Sequence, residues 1–256
     1  MTRWALLVEY DGTPFVGWQR QANGLSVQQV IEHAASQLAD HVSTIAAGRT
    51  DAGVHAAGQV VEMNLARDIA RDRLRDALNF HLKPHPVSVL QAALGPPGWN
   101  ARFSANRRTY RYLILNRRAR PALMADRVWH LPHPLDAEAM HEAAQSLLGR
   151  HDFTSFRAAA CQASGPLRTL DRLDVLRRGD LIEIWAEARS FLHHQVRNIV
   201  GTLRLVGDGT WLVTEIPRVL AAKDRRVAGP TAPAEGLCLM RVGYPNDPFA
   251  PQSHAG

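Results

Sequence analysis

The sequence predicts an α+β protein of two halves, each laying helices on one face of a mostly antiparallel sheet. Three observations predict it. Strand-like and helix-like periodicities occur in both halves of the 256 residues. A hairpin is legible in the second half, turning at Arg178-Gly179-Asp180. Hydrophobic residues make up 46% of the chain, enough for a substantial core. The halves are expected at 1–104 and 105–245, with a disordered tail over 246–256.

In the first half, Trp4 to Tyr10 reads as a strand that stops at Asp11-Gly12. Ser26 and Gln29 stand at capping-box spacing before Val27, Val30, Ile31, Ala34, Ala35 and Leu38, which recur with helical period. The stretch AAGRTDAGVHAAGQVV, Ala46 to Val61, reads as strand, loop, strand. DIARDRLRDALNF gives a helix with Ile69, Leu74 and Leu78 inward, and PVSVLQAAL gives a strand. In the second half TYRYLILN is a strand. DAEAMHEAAQSLLG is a helix with Asp136 as N-cap and Gly149 just past its end. The hairpin follows. SFLHHQVRNIVGTLRLVG reads as one helix from Ser190 to Gly207, with a short helix near Pro217–Lys223 and a last strand over Leu237–Val242.

The charge narrows the partners. Lys+Arg is 30 against Asp+Glu 24, a net +6, and the lysines are Lys83 and Lys223 alone. Guanidinium forks match phosphates and stack on bases, so the balance favours a polyanion. A coding bias toward arginine would explain the choice of cation but not the sign of the sum. Cys161 and Cys238 have no spacing that suggests a disulfide framework or a zinc site. The opening MTRWALLVEYDG reads as a strand rather than a signal peptide, and no apolar run reaches the roughly 18 residues of a membrane span. The cytoplasm is the expected compartment.

Three stretches carry candidate chemistry. Gly48, Gly53 and Gly58 surround Arg49, Asp51 and His55. Asp51 in such a turn either bonds its own backbone or is a base or nucleophile held on a tight loop. The second role needs a nearby cation, because burial disfavours the charged form; Arg49 and Arg197 are candidates. On the last long helix Gly201 costs about 1 kcal/mol against alanine, which suggests a close approach of another backbone or a ligand. His193 and His194 are adjacent, so on that helix they would point about 100° apart and would not chelate as an i, i+4 pair does. In ARFSANRRTYRYLILNRR, Arg102, Arg107, Arg108 and Arg111 interleave with Phe103, Tyr110 and Tyr112, a pattern suited to RNA phosphates and unpaired bases.

AGRTDAGVHA, FSANRRTYRY, SFLHHQVRNIVG and APAEGL together resemble the tRNA pseudouridine synthase A family, in its order and at about its spacing. The resemblance runs from the first strand to about Pro245. Two positions depart from the family pattern: Cys238, where an aromatic is usual, and Gln195, where methionine is common.

The resemblance implies two ferredoxin-like halves whose sheets meet at a central catalytic cleft. It implies isomerisation of uridine to pseudouridine at tRNA positions 38, 39 and 40, in the anticodon stem-loop. Asp51 would be the catalytic aspartate, Tyr110 the tyrosine packed on the target base, and Arg197 the partner of the aspartate. Arg49 would help extract the base, and His55, Arg107 and Arg108 would contact the substrate. The family is a homodimer that needs no metal and no organic cofactor. Two other readings stand beside it. One is a non-catalytic tRNA-binding protein using the same arginines and rings. The other is a metal-dependent hydrolase built on Asp51 and His55.

Overall fold

The computed structural model describes residues 1–40, 42–66, 68–159 and 161–250. In chain order its elements are β1 (Thr2–Tyr10), α1 (Val27–Ser36), β2 (Thr44–Ala46), β3 (His55–Leu65), α2 (Arg71–Leu82) and β4 (Val87–Leu94). Then come β5 (Arg107–Leu115), β6 (Trp129–His130), α3 (Ala137–Gln145), β7 (Gly149–Asp152), β8 (Leu167–Arg178) and β9 (Leu181–Ala188). The last are α4 (Gln195–Gly207), α5 (Glu215–Ala222) and β10 (Leu237–Gly243). They divide between two compact units. One is Met1–Asn106 with the chain from Leu239 onward; the other is Arg107–Cys238.

In the first unit the sheet runs β4-β1-β3, with β2 beside β3. Its β1–β3, β1–β4 and β2–β3 pairs are all antiparallel, with Leu6 opposite Val61 on one side and Ala92 on the other. The residues of β10 from Leu239 also join this unit. α1 starts where the capping pattern puts it: the Ser26 side chain accepts the Gln29 N–H at 3.2 Å. Val27, Val30, Ile31, Ala34 and Ala35 are all buried. α2 differs from expectation at both ends. It begins at Arg71 after Ala70, which offers no side-chain cap, so Ile69 lies ahead of the helix. It runs on to Leu82, which is buried together with Leu74 and Leu78.

The second unit orders its strands β5-β9-β8-β7, all antiparallel, with the short β6 parallel to β5. The hairpin turns where the sequence indicates, Arg178 pairing with Leu181 across Gly179-Asp180. Asp136 caps α3 by accepting from the N–H groups of Glu138 and Ala139 at 2.9 Å each. Tyr112, Ile114, Met140, Phe153, Phe156, Ile182, Ile184 and Ile199 form its fully buried core.

The expected helix from Ser190 is corrected by the structure. α4 begins at Gln195, and His194 precedes it in a left-handed conformation, φ 60°. The Gln195 side chain accepts the Leu192 N–H at 2.8 Å, closing a loop ahead of the helix. Leu192 is buried from that loop and mimics the helical period without belonging to it. The rings of His193 and His194 therefore lie together, centroids 3.9 Å apart, instead of diverging around a helix. Of the expected tail, residues 251–256 lie outside the described residues. Phe249 N–H bonds the Asp247 carboxylate at 2.9 Å just before them.

Candidate functional site

The Asp51 loop is hung on the segment that follows β1. Ala47 N–H extends the β2–β3 ladder to the Val60 carbonyl at 2.8 Å, and the Gln59 side chain then holds the Gly48 carbonyl at 2.8 Å. Thr50 is fixed twice: its hydroxyl pairs with the Tyr10 hydroxyl at 2.8 Å, and its carbonyl accepts the Trp18 N–H at 3.0 Å. Asp51 forms an antiparallel bridge with Gly17, and Val54 N–H closes the turn on the Asp51 carbonyl at 3.1 Å. Gly17 has φ 109°, and a Cβ there would stand 2.7 Å from the Thr50 carbonyl. Only glycine suits that conformation and lets the two segments touch. The backbone at Asp51 is thus held on both sides, the residue half-exposed and Arg49 exposed. A group fixed this way loses little freedom on engaging a reactant.

His55, 4% exposed, opens β3 with its ring turned inward. Its Nδ1 accepts the Gly12 N–H at 3.0 Å and stands 3.1 Å from the Asp11 carboxylate. The ring thereby clips the segment that follows β1 to the start of β3.

The other expected residues lie in the second unit. Alternation along β5 puts Arg108, Tyr110 and Tyr112 on one face and Arg107, Thr109 and Arg111 on the other. Tyr110 is 8% exposed and meets the Phe191 ring edge-on, centroids 5.3 Å apart. Arg108 is nearly buried, and its guanidinium donates to the Arg189 carbonyl. Arg107 is exposed and pairs with Glu187 at 3.3 Å. Tyr112 is fully buried and donates its hydroxyl to the Pro233 carbonyl at 2.9 Å. Burial raises the Tyr112 phenol above its usual range and the Glu235 charge adds to the rise, against the opposing Arg197 charge.

Arg197 rises from the first turn of α4, half-buried, with Nε donating to the Ala232 carbonyl at 2.8 Å. The loop bearing Ala232 is itself tied down. Arg225 donates to the Gly229 carbonyl at 2.9 Å, to Asn198 at 3.1 Å and to Thr231 at 3.1 Å. Thr231 donates to the Asn198 amide oxygen at 2.7 Å, and the Thr202 hydroxyl accepts the Gly229 N–H at 3.0 Å. Gly201 explains itself here. The Pro230 carbonyl occupies the place a Cβ would take. The close approach expected of this glycine is to protein backbone.

Within its own unit the structure therefore places Arg49 and Asp51 on one loop and His55 at the start of β3. Within the other it places Tyr110, Arg107 and Arg108 on β5 and Arg197 on α4. The anchors of Arg197 are residues that sequence reasoning missed: Asn198, Thr202, Arg225 and Thr231 are spread along the chain with no motif to join them.

A family model described as tRNA pseudouridine synthase matches residues 6–104 and 143–245. The chain belongs to the tRNA pseudouridine synthase family. Its relatives include a protein of Acidiphilium cryptum named tRNA pseudouridine synthase A, 64% identical over 97% of this chain and 99% of that protein. A protein of that name from Gluconobacter oxydans is 58% identical over 97% of this chain and 92% of its own length. One from Rhodospirillum centenum is 58% identical over 95% and 100%. Arg49, Asp51, His55 and Arg197 fall inside the matched segments, and Arg107, Arg108 and Tyr110 in the stretch between them. Among the described residues no helix is long and apolar enough to cross a membrane.

Proposed function

We propose that this member of the family isomerises uridine to pseudouridine in tRNA, on the 3′ side of the anticodon stem-loop, with Asp51 as the reacting group. The reaction breaks the N1–C1′ bond, turns the uracil and joins C5 to C1′. The proton leaves C5, N1 gains one, and the atom count is unchanged. One carboxylate suffices. It adds to C1′ to give a covalent sugar ester, or removes the C2′ proton to give a glycal; either route starts from the ionised side chain. Arg197 would stabilise that charge. Tyr110 would pack against the everted base, and Arg49 would help hold it out of the stem, at a cost of a few kcal/mol. Arg107, exposed on β5, would contact the nucleic acid, while Arg108 and His55, buried and bonded within the protein, would support the site from behind. No metal or organic cofactor enters these steps. The protein would act as a homodimer in the cytoplasm, each half ferredoxin-like. The β-α-β-β-α-β run of the first unit, ordered β4-β1-β3-β2, agrees with that description.

The observation that most supports this reading is the bracing of Asp51 by Gly17, Thr50 and Val54 inside a segment the family model matches. Incubating the protein with an unmodified tRNA transcript and mapping pseudouridine nucleotide by nucleotide tests it. Pseudouridine is expected on the 3′ side of the anticodon arm. A transcript bound but unchanged would favour the non-catalytic RNA clamp instead.

A further inference from the structure

The turn between β4 and β5 presents an aromatic ring that the reaction above does not use. Phe103 is 75% exposed. Single exposed apolar residues are ordinary. What sets this one apart is how firmly its turn is built. The Asn100 side chain accepts the N–H groups of Arg102 and Phe103 at 3.0 and 2.9 Å. Ser104 N–H bonds the Asn100 carbonyl at 3.1 Å, and the Ser104 hydroxyl accepts the Asn100 N–H at 3.0 Å.

The turn is also fastened to the sheet. Glu62, buried on β3, accepts from the Asn100 amide at 2.9 Å and from Ala101 N–H at 3.0 Å. Tyr244 donates its hydroxyl to the Ala101 carbonyl at 2.6 Å. At the tip the Arg102 guanidinium lies 5.5 Å from the Phe103 ring centroid. The guanidinium over one face of the exposed ring leaves the other for an unpaired base, with a cation at hand for its phosphate. Because the backbone of the turn is ordered before binding, little backbone entropy remains to be lost when a base arrives.

We propose that Phe103 is a stacking platform for an unpaired base of the RNA substrate, with Arg102 beside it for the adjoining phosphate. The occupant follows from the tRNA reading above, on which this proposal rests. The chemistry asked for is an anionic strand carrying a flat, accessible base.

Equilibrium binding of an unmodified tRNA transcript, measured for the wild type and for Phe103→Ala, Phe103→Leu and Phe103→Tyr, tests it. Losing one stacked base should weaken binding about fivefold or more in the Ala and Leu variants, while Tyr stays near wild type. The Ala-to-wild-type ratio should hold constant as salt is raised, because stacking releases no counterions. Binding by Phe103→Ala within twofold of wild type overturns the proposal. So does rescue by Leu, which would make the contact apolar packing. So does a shift of oligomeric state in Phe103→Ala, which would make the turn a contact between copies of the chain. A wild type that binds tRNA through Phe103 but forms no pseudouridine leaves this platform standing and removes the catalytic reading. Pseudouridine formation with unaltered binding by Phe103→Ala does the reverse.

Discussion

Arg197 and Ala232 hold each other by two hydrogen bonds, Nε to carbonyl at 2.8 Å and N–H back to the Arg197 carbonyl at 3.1 Å. The pair locks the side chain and the backbone of α4's first turn to one loop. The position of the guanidinium thus depends on everything that fixes that loop, and Arg225 fixes most of it.

Arg225→Ala should release the Gly229–Thr231 stretch and let the Arg197 guanidinium wander. If Arg197 serves the chemical step, kcat should fall by about ten- to a hundredfold, since small misplacements of a catalytic group are costly. KM for tRNA should change little. Steady-state kinetics beside a thermal melt will separate this from general loss of fold. A raised KM with kcat intact would make Arg197 a binding contact.

Gly201→Ala should destabilise the protein even though alanine favours helices. The added methyl meets the Pro230 carbonyl, and overpacking of this kind costs about 1–3 kcal/mol. Chemical denaturation checks it. A variant as stable as wild type would mean that the loop yields freely.

Tyr112 should resist ionisation in the native state. Burial, then the Glu235 charge, raise its phenol above the ordinary value near 10, and Arg197 opposes them only in part. The unfolded chain ionises first. The stability Tyr112 contributes is therefore full below about pH 10 and is lost as the pH climbs beyond it. Tyrosinate absorbance should show a component that titrates only with unfolding, and Tyr112→Phe should reduce it. An early, reversible titration by every tyrosine would contradict the burial argument.

The sequence made local features legible where one element carries its own signal. Ser26 and Asp136 cap their helices, and Gly179-Asp180 turns the hairpin, because each acts within a few residues. The start of α4 was not legible: Leu192 sits at a helical interval yet packs from a loop, and burial, not helicity, set the pattern. β7, with the sequence GRHD, carries no alternation and exists because β8 offers it an edge. In the candidate site, Asp51 and Arg197 stood out by motif. The bracing by Gly17, Thr50 and Tyr10, and the anchoring of Arg197 through Ala232 and Arg225, did not. Those contacts join residues tens of positions apart, and only the folded chain brings them together.

On the proposed mechanism the reaction turns on Asp51. Under single turnover with excess protein, Asp51→Asn and the wild type are to be compared for pseudouridine formed in one unmodified tRNA, with binding and melting measured on the same samples. The Asn side chain keeps the size and most of the hydrogen bonding but neither adds to C1′ nor takes a proton. The account predicts tRNA bound and the fold intact, with no product above the protein-free control. Pseudouridine at the wild-type rate would contradict it.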